Sequence, residues 1–133
     1  MKIELEILGK PMGKGRPRLS KYGTYTPEKT VNYENYVKLC FINKYKNYTP
    51  TEKALKAKIT ALFEIPTSYS KKKKKELIGQ PHANKPDADN IAKIVLDSLN
   101  GLAYKDDNQI AELEIKKVYG EQAKVILDIE EID

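Results

Sequence analysis

Apolar residues recur at every second position in two stretches far apart in the chain. Ile3, Leu5 and Ile7 interleave with Lys2, Glu4 and Glu6, and Ala57, Ile59, Ala61, Phe63 and Ile65 repeat the pattern until Pro66. A period of two places every apolar side chain of a strand on one face. Both segments therefore belong in a sheet covered on one side only. Residues 109–118 and 123–130 read as two more strands, and Tyr119-Gly120-Glu121 between them reads as a hairpin. Residues 9–25 carry Gly9, Pro11, Gly13, Gly15, Pro17 and Gly23 and read as a loop. Thr26, Pro27 and Glu28 have the chemistry of a helix start, with Thr26 as cap. That helix is expected to run to about Lys44, with Tyr33, Val37, Cys40 and Phe41 along one side. Ser70 is placed to cap a short helix from Lys71 to Leu77, ended by Gly79. Asp89 is placed to cap a helix over about Asn90 to Leu99, with Ile91, Ile94, Val95 and Leu99 on one face. The order β-α-β-α-α-β-β predicts a single α+β domain over residues 1–133, with helices packed on a mostly antiparallel, mixed sheet.

Hydrophobic residues are 40% and charged residues 32% of the chain, the balance of a soluble globular protein. No apolar run approaches the roughly 20 residues of a membrane span, so no membrane partner is expected. The opening residues have no signal-peptide pattern. Cys40 is the single cysteine. That excludes an intrachain disulfide and a cysteine zinc site, and fits a cytoplasmic protein. Cys40 reads as a core residue, because no histidine accompanies it as a base.

Charge is unevenly distributed. The net charge is +5, yet residues 10–21 hold Lys10, Lys14, Arg16, Arg18 and Lys21 without an acid, whereas residues 106–133 are strongly acidic. Of 24 basic side chains only Arg16 and Arg18 are arginine, and both fall in one Gly/Pro-rich stretch. The arginine fork grips phosphate oxygens in pairs, which lysine cannot do. A basic front of this kind points to a polyanion partner. Lys71 to Lys75 form a second basic run, which by itself reads as a solvated surface.

The segment with chemistry is Lys85-Pro86-Asp87-Ala88-Asp89, followed by Lys93 and later by Asp106-Asp107. If Asp87 to Asp89 is extended, the two carboxylates point to one side with backbones roughly 6.5 Å apart. They could then reach one divalent cation, and oxygen-only ligands select magnesium or manganese. The competing reading is that Asp89 only caps a helix and Asp106-Asp107 only forms a turn. Lys93 stands one turn above Asp89, and Asp89, Lys93 and Asp97 line the polar face of the helix. The intervening helix is about 15 Å long, and the connection to Asp106 is long enough to return the chain to its start. Carboxylates, a lysine and a basic loop together fit metal-assisted phosphodiester hydrolysis. His82, the single histidine, reads as an exposed loop residue.

Lys85-Pro86-Asp87-x-Asp89-Asn90-x-x-Lys93-x-x-x-Asp97-x-Leu99-Asn100-Gly101, with Tyr104-x-Asp106-Asp107-x-Gln109-Ile110, resembles the RusA family of Holliday junction resolvases. Gly9-Lys10-Pro11-x-x-Lys14-x-Arg16-Pro17-Arg18, Tyr25-Thr26-Pro27 and Ser70-Lys71-Lys72-Lys73 extend the likeness over nearly the whole chain. The resemblance implies a RusA-like fold and a homodimeric, magnesium-dependent endonuclease that nicks four-way DNA junctions symmetrically, in a family often carried by prophages. It implies metal-binding acids at Asp87, Asp89 and either Asp106 or Asp107, taken as Asp107, and a catalytic Lys93. Lys10, Lys14, Arg16, Arg18, Lys71, Lys72, Lys73 and Lys85 are the expected DNA contacts. The rivals are a nuclease for flaps, forks or RNA, and a nucleic-acid-binding protein without catalysis.

Overall fold

The computed structural model describes residues 2–133, so Met1 lies outside the described residues. Strand β1 is Lys2–Leu8, and its burial alternates in step with its sequence. A two-stranded ribbon follows, with β2 at Arg18–Ser20 and β3 at Gly23–Tyr25. Helix α1 is Glu28–Lys44, strand β4 is Leu55–Glu64, helix α2 is Lys71–Leu77 and helix α3 is Ala88–Ser98. One turn of 3-10 helix, Asp107–Gln109, leads into β5 at Ile110–Gly120, and β6 at Lys124–Glu131 closes the chain. The expected α+β arrangement is present, with small shifts at element ends.

The main sheet runs in the order β1-β6-β4-β5. β6 is antiparallel to both β1 and β4, while β4 and β5 are parallel. Ile3, Leu5 and Ile7, then Leu55, Ala57, Ile59, Ala61 and Phe63, then Val125, Leu127 and Ile129 form one buried face. Tyr33, Val37 and Phe41 of α1 and Ile91, Ile94 and Val95 of α3 pack onto it within one core. Fully burying each such side chain stabilises the fold by roughly 1.5–3 kcal/mol. The opposite face, with Lys56, Lys58, Glu4 and Glu114, faces water.

Four expectations need correction. First, β5 and β6 form no hairpin, because β4 lies between them. β4 is ten residues long and buries alternate side chains, so pairing it on both sides protects the most apolar strand. At Gly120 an added Cβ would stand 3.2 Å from Leu62 Cδ2, and glycine leaves the chain room to turn across β4. Second, residues 9–25 are not all loop, since β2 and β3 pair within them. Third, Thr26 does not cap α1. Pro27 holds the cap position with no side-chain bond, its fixed φ sufficing to start the helix. Fourth, Asp89 is not the cap of α3. The cap position is Asp87, two residues earlier, whose carbonyl accepts the Ile91 N–H at 3.1 Å. Ser70 does cap α2, accepting the Lys73 N–H at 3.2 Å.

Candidate active site

Helix α3 begins directly after a cis Lys85–Pro86 bond. Asp87 is extended and exposed, and its side chain makes no capping bond. Asp89 is exposed in the first turn of α3, so the two acids are not on a common extended stretch as the sequence suggested. The backbone turns helical at Ala88 because the Asp87 carbonyl already accepts the first helical bond. Both carboxylates remain beside the positive end of the helix, which favours negative charge there.

The other half of the site arrives from the turn after α3. Gly101 adopts a positive φ of 79°, which glycine tolerates, and the chain reverses there. Tyr104 is buried and its hydroxyl donates to the Leu96 carbonyl of α3. Thr51 brackets the same turn, its N–H donating to Ala103 O at 3.3 Å and its carbonyl accepting from Lys105 N at 3.2 Å. Gln109 Nε2 donates to Thr51 O at 2.9 Å and Lys53 O at 3.0 Å. Asp106 and Asp107 are thereby fixed against α3, and they part company. Asp106 caps the short 3-10 turn: its carboxylate accepts the Asn108 N–H at 3.0 Å, and its own N–H donates to Gln109 Oε1 at 2.9 Å. Asp107 turns inward and shares a shallow depression with Asp89, Ala92, Lys93, Leu96, Ile110 and Leu113.

At the depression Asp97 meets Asp107. Their hydrogen bond, then burial, then the charges of Asp97 and Asp106 push the Asp107 carboxyl up to about 6, with Lys93 opposing. Burial alone would raise Asp97, but the Asp107 hydrogen bond and the ammonium groups of Lys93 and Lys14 hold it below its ordinary value. The two carboxyls therefore lose their protons in linked steps that belong to the pair rather than to either residue. Lys93 Nζ lies 3.3 Å and Lys14 Nζ 3.5 Å from Asp97 Oδ2, and Lys14 Nζ lies 2.7 Å from Glu34 Oε2 of α1.

Among the described residues, no three of histidine, cysteine, aspartate and glutamate are grouped closely enough to hold a metal ion with their side chains as placed. The donors around the depression are all carboxylate oxygens. Asp97 and Asp107 repel each other when both are ionised, a repulsion that a hard divalent cation relieves. The residues fit such an ion in chemistry, with a pair of carboxylates in contact and Asp89 lining the same depression.

The expected DNA contacts divide. Lys10, Arg16, Arg18, Lys71, Lys72, Lys73 and Lys85 are exposed and make no ion pair among the described residues. Lys14 is half-buried and committed to Glu34 and Asp97. In sequence Asp97 stands only on the polar helix face with Lys93, and Glu34 carries no signal. The spacing of Lys93 and Asp97 was visible, but nothing local to residue 34 signals a partner on another helix. His82 is not simply exposed: its ring stacks on Phe63 at 3.7 Å between centroids, and its Nδ1 is buried without a partner.

The half-covered α+β sheet carries carboxylates, a lysine and a basic loop, residue types that suit phosphate chemistry. Residues 9–130 match the model of the family described as "Endodeoxyribonuclease RusA". The chain belongs to that family of endodeoxyribonucleases. It is also 32% identical over 138 aligned positions to "Uncharacterized protein YqaN" of Bacillus subtilis (strain 168), covering 98% of this chain and 96% of that one. No helix among the described residues is long and apolar enough to cross a membrane.

Proposed function

We propose that this protein is a divalent-metal-dependent endonuclease that resolves four-way DNA junctions as a homodimer. One observation carries the reading: Asp89, Lys93 and Asp107 line one depression although 18 positions separate the two acids in sequence. Asp89 and Asp107, with Asp87 at the preceding cap position, are the acids proposed to hold magnesium or manganese. Such an ion supplies an acidified water and charge neutralisation at the phosphate. Asp107 is preferred over Asp106 because the Asp106 carboxylate is occupied as a cap. Lys93 is held at the rim by Asp97, where its ammonium can orient a non-bridging phosphate oxygen. Arg16, Arg18, Lys10, Lys85 and the lysines of α2 grip the backbones of the junction arms without reading bases. Two cuts at symmetric positions require two such sites related by a two-fold axis, which a homodimer provides.

The test compares nicking of a four-way junction, a flap and plain duplex in magnesium, manganese and EDTA, by the parental protein and Asp89→Asn. Cutting of the junction alone, only with metal, is expected, and Asp89→Asn is expected to bind the junction without cutting. Equal rates on all three DNAs would remove junction selectivity. Undiminished cutting in EDTA, or by Asp89→Asn, would remove the metal-site assignment.

A further inference from the structure

Every residue of β2 and β3 is exposed. Leu19 is 86%, Tyr22 87% and Tyr25 50% exposed, a concentration of apolar surface within seven residues. Apolar side chains clustered on a projecting element mark a contact surface. The ribbon is nevertheless defined. Arg18 pairs with Tyr25, Leu19 with Thr24 and Ser20 with Gly23. The Ser20 hydroxyl donates to Gly23 O at 3.1 Å and accepts the Tyr22 N–H at 3.2 Å. Its stem is anchored at the candidate active site. The Lys14 N–H donates to Asn90 O at 2.9 Å, the Gly15 N–H donates to Thr30 Oγ1 at 3.0 Å, and an added Cβ at Gly13 would stand 3.0 Å from Pro86 Cβ. The ribbon thus rises from the start of α3, beside Asp87 and Asp89.

Charge decides what the ribbon meets. Residues 10–27 contain no acid. Arg16, Arg18 and Lys21 make no ion pair among the described residues, and the Lys21 ammonium lies 5.0 Å from the Tyr22 ring centroid. Two copies of such a ribbon repel each other, whereas a polyanion is attracted. Aromatic rings interleaved with cations match unstacked nucleobases flanked by phosphates. Intact duplex offers the phosphates but no free base face. We infer that Tyr22 stacks on an unpaired or unstacked base at the branch of the bound DNA, while Arg16, Arg18 and Lys21 hold the adjoining phosphates. The ribbon then senses the branch itself. This rests on the nuclease reading.

The test measures binding of the full-length protein in EDTA to a four-way junction carrying 2-aminopurine at the branch, and to a duplex carrying it in mid-helix. The parental protein is expected to change the junction fluorescence and leave the duplex signal alone. Tyr22→Ala is expected to lose that change and bind the junction about 5- to 100-fold more weakly, with duplex affinity held within about twofold. Tyr22→Phe, which keeps the ring, should restore both. Tyr22 packs against no part of the core, so the fold is not at stake. A Tyr22→Ala protein that matches the parent in fluorescence and junction affinity overturns this inference alone. So does one whose sedimentation shows a changed oligomeric state, which would make the ribbon a protein contact. A parental protein that binds neither DNA overturns the nuclease reading and this inference with it.

Discussion

Cations around the candidate site behave oppositely, even within one short loop. Lys14 is spent on carboxylates, joining Glu34 of α1 to Asp97 of α3, whereas Lys93 pairs with Asp97 while its side chain stays largely exposed. Arg16 and Arg18, two and four residues beyond Lys14, have no such partner and stand in water. The difference teaches that a basic stretch is not one functional unit. Its half-buried member fastens the loop to the acidic site, and its exposed members make no ion pair among the described residues. Ion pairs shielded from water keep much of their strength, while an exposed guanidinium gains little until a polyanion arrives.

The largest effect expected is at the acids. Asp107→Asn and Asp89→Asn should each lower the rate of junction nicking by roughly 100- to 1,000-fold, read under single-turnover conditions, with junction binding retained. Asp106→Asn should lose far less, because the amide oxygen still accepts the Asn108 N–H. A reversed order for Asp106 and Asp107 would move the metal assignment to the cap residue.

The next pair of measurements tries to break the contrast between the two cation sets. Arg16→Ala and Arg18→Ala should each flatten the dependence of log binding constant on log salt by about 0.9 and leave the denaturation midpoint unchanged. Lys14→Met should do the reverse. It removes charged hydrogen bonds to Glu34 and Asp97, at about 1.5–3 kcal/mol of stability, measured by urea unfolding, while the salt slope of binding is kept. A flattened salt slope in Lys14→Met would return Lys14 to the DNA contacts.

The smallest effect is at His82, beside Lys117, a third committed cation whose ammonium donates to Asn84 O and lies 5.8 Å from the Phe63 ring centroid. Burial, then the Lys117 charge, lowers the His82 pKa from its ordinary 6.5. Below pH 6.5 the unfolded chain therefore binds a proton at His82 that the folded protein refuses. Stability should rise with pH up to that value and level off above it. In His82→Gln this portion of the pH dependence, followed by thermal unfolding, should vanish. A slope that survives the substitution would assign it to other groups.

Much was legible in the sequence because its signals are local. Alternation at Ile3-Leu5-Ile7 and at Ala57 to Ile65 specified one-sided strands, Ser70 specified the cap of α2, and Asp87, Asp89, Lys93 and Asp106-Asp107 stood out as the candidate site residues. The mistaken hairpin at Tyr119-Gly120-Glu121 has a physical cause. Local turn residues say that the chain bends, but which strand lies alongside is decided by the burial of β4, about 60 residues away in the chain. The cap of α3 was misplaced for a smaller reason: Asp87 and Asp89 have the same capping chemistry, and only the backbone chooses between them.

By itself the sequence determined the fold class, the helices that cover the sheet, and the inventory of acids and cations from which the site is made. Only the tertiary structure decided that Asp97 stands against Asp107, that Asp106 is a cap, that Lys14 belongs to Glu34, and that Leu19 and Tyr22 are held out in water. Periodicity and capping act within a few residues and are written into neighbouring side chains. Pairing between a loop, two helices and a turn depends on how the core brings distant segments together, and no stretch of sequence carries that information alone.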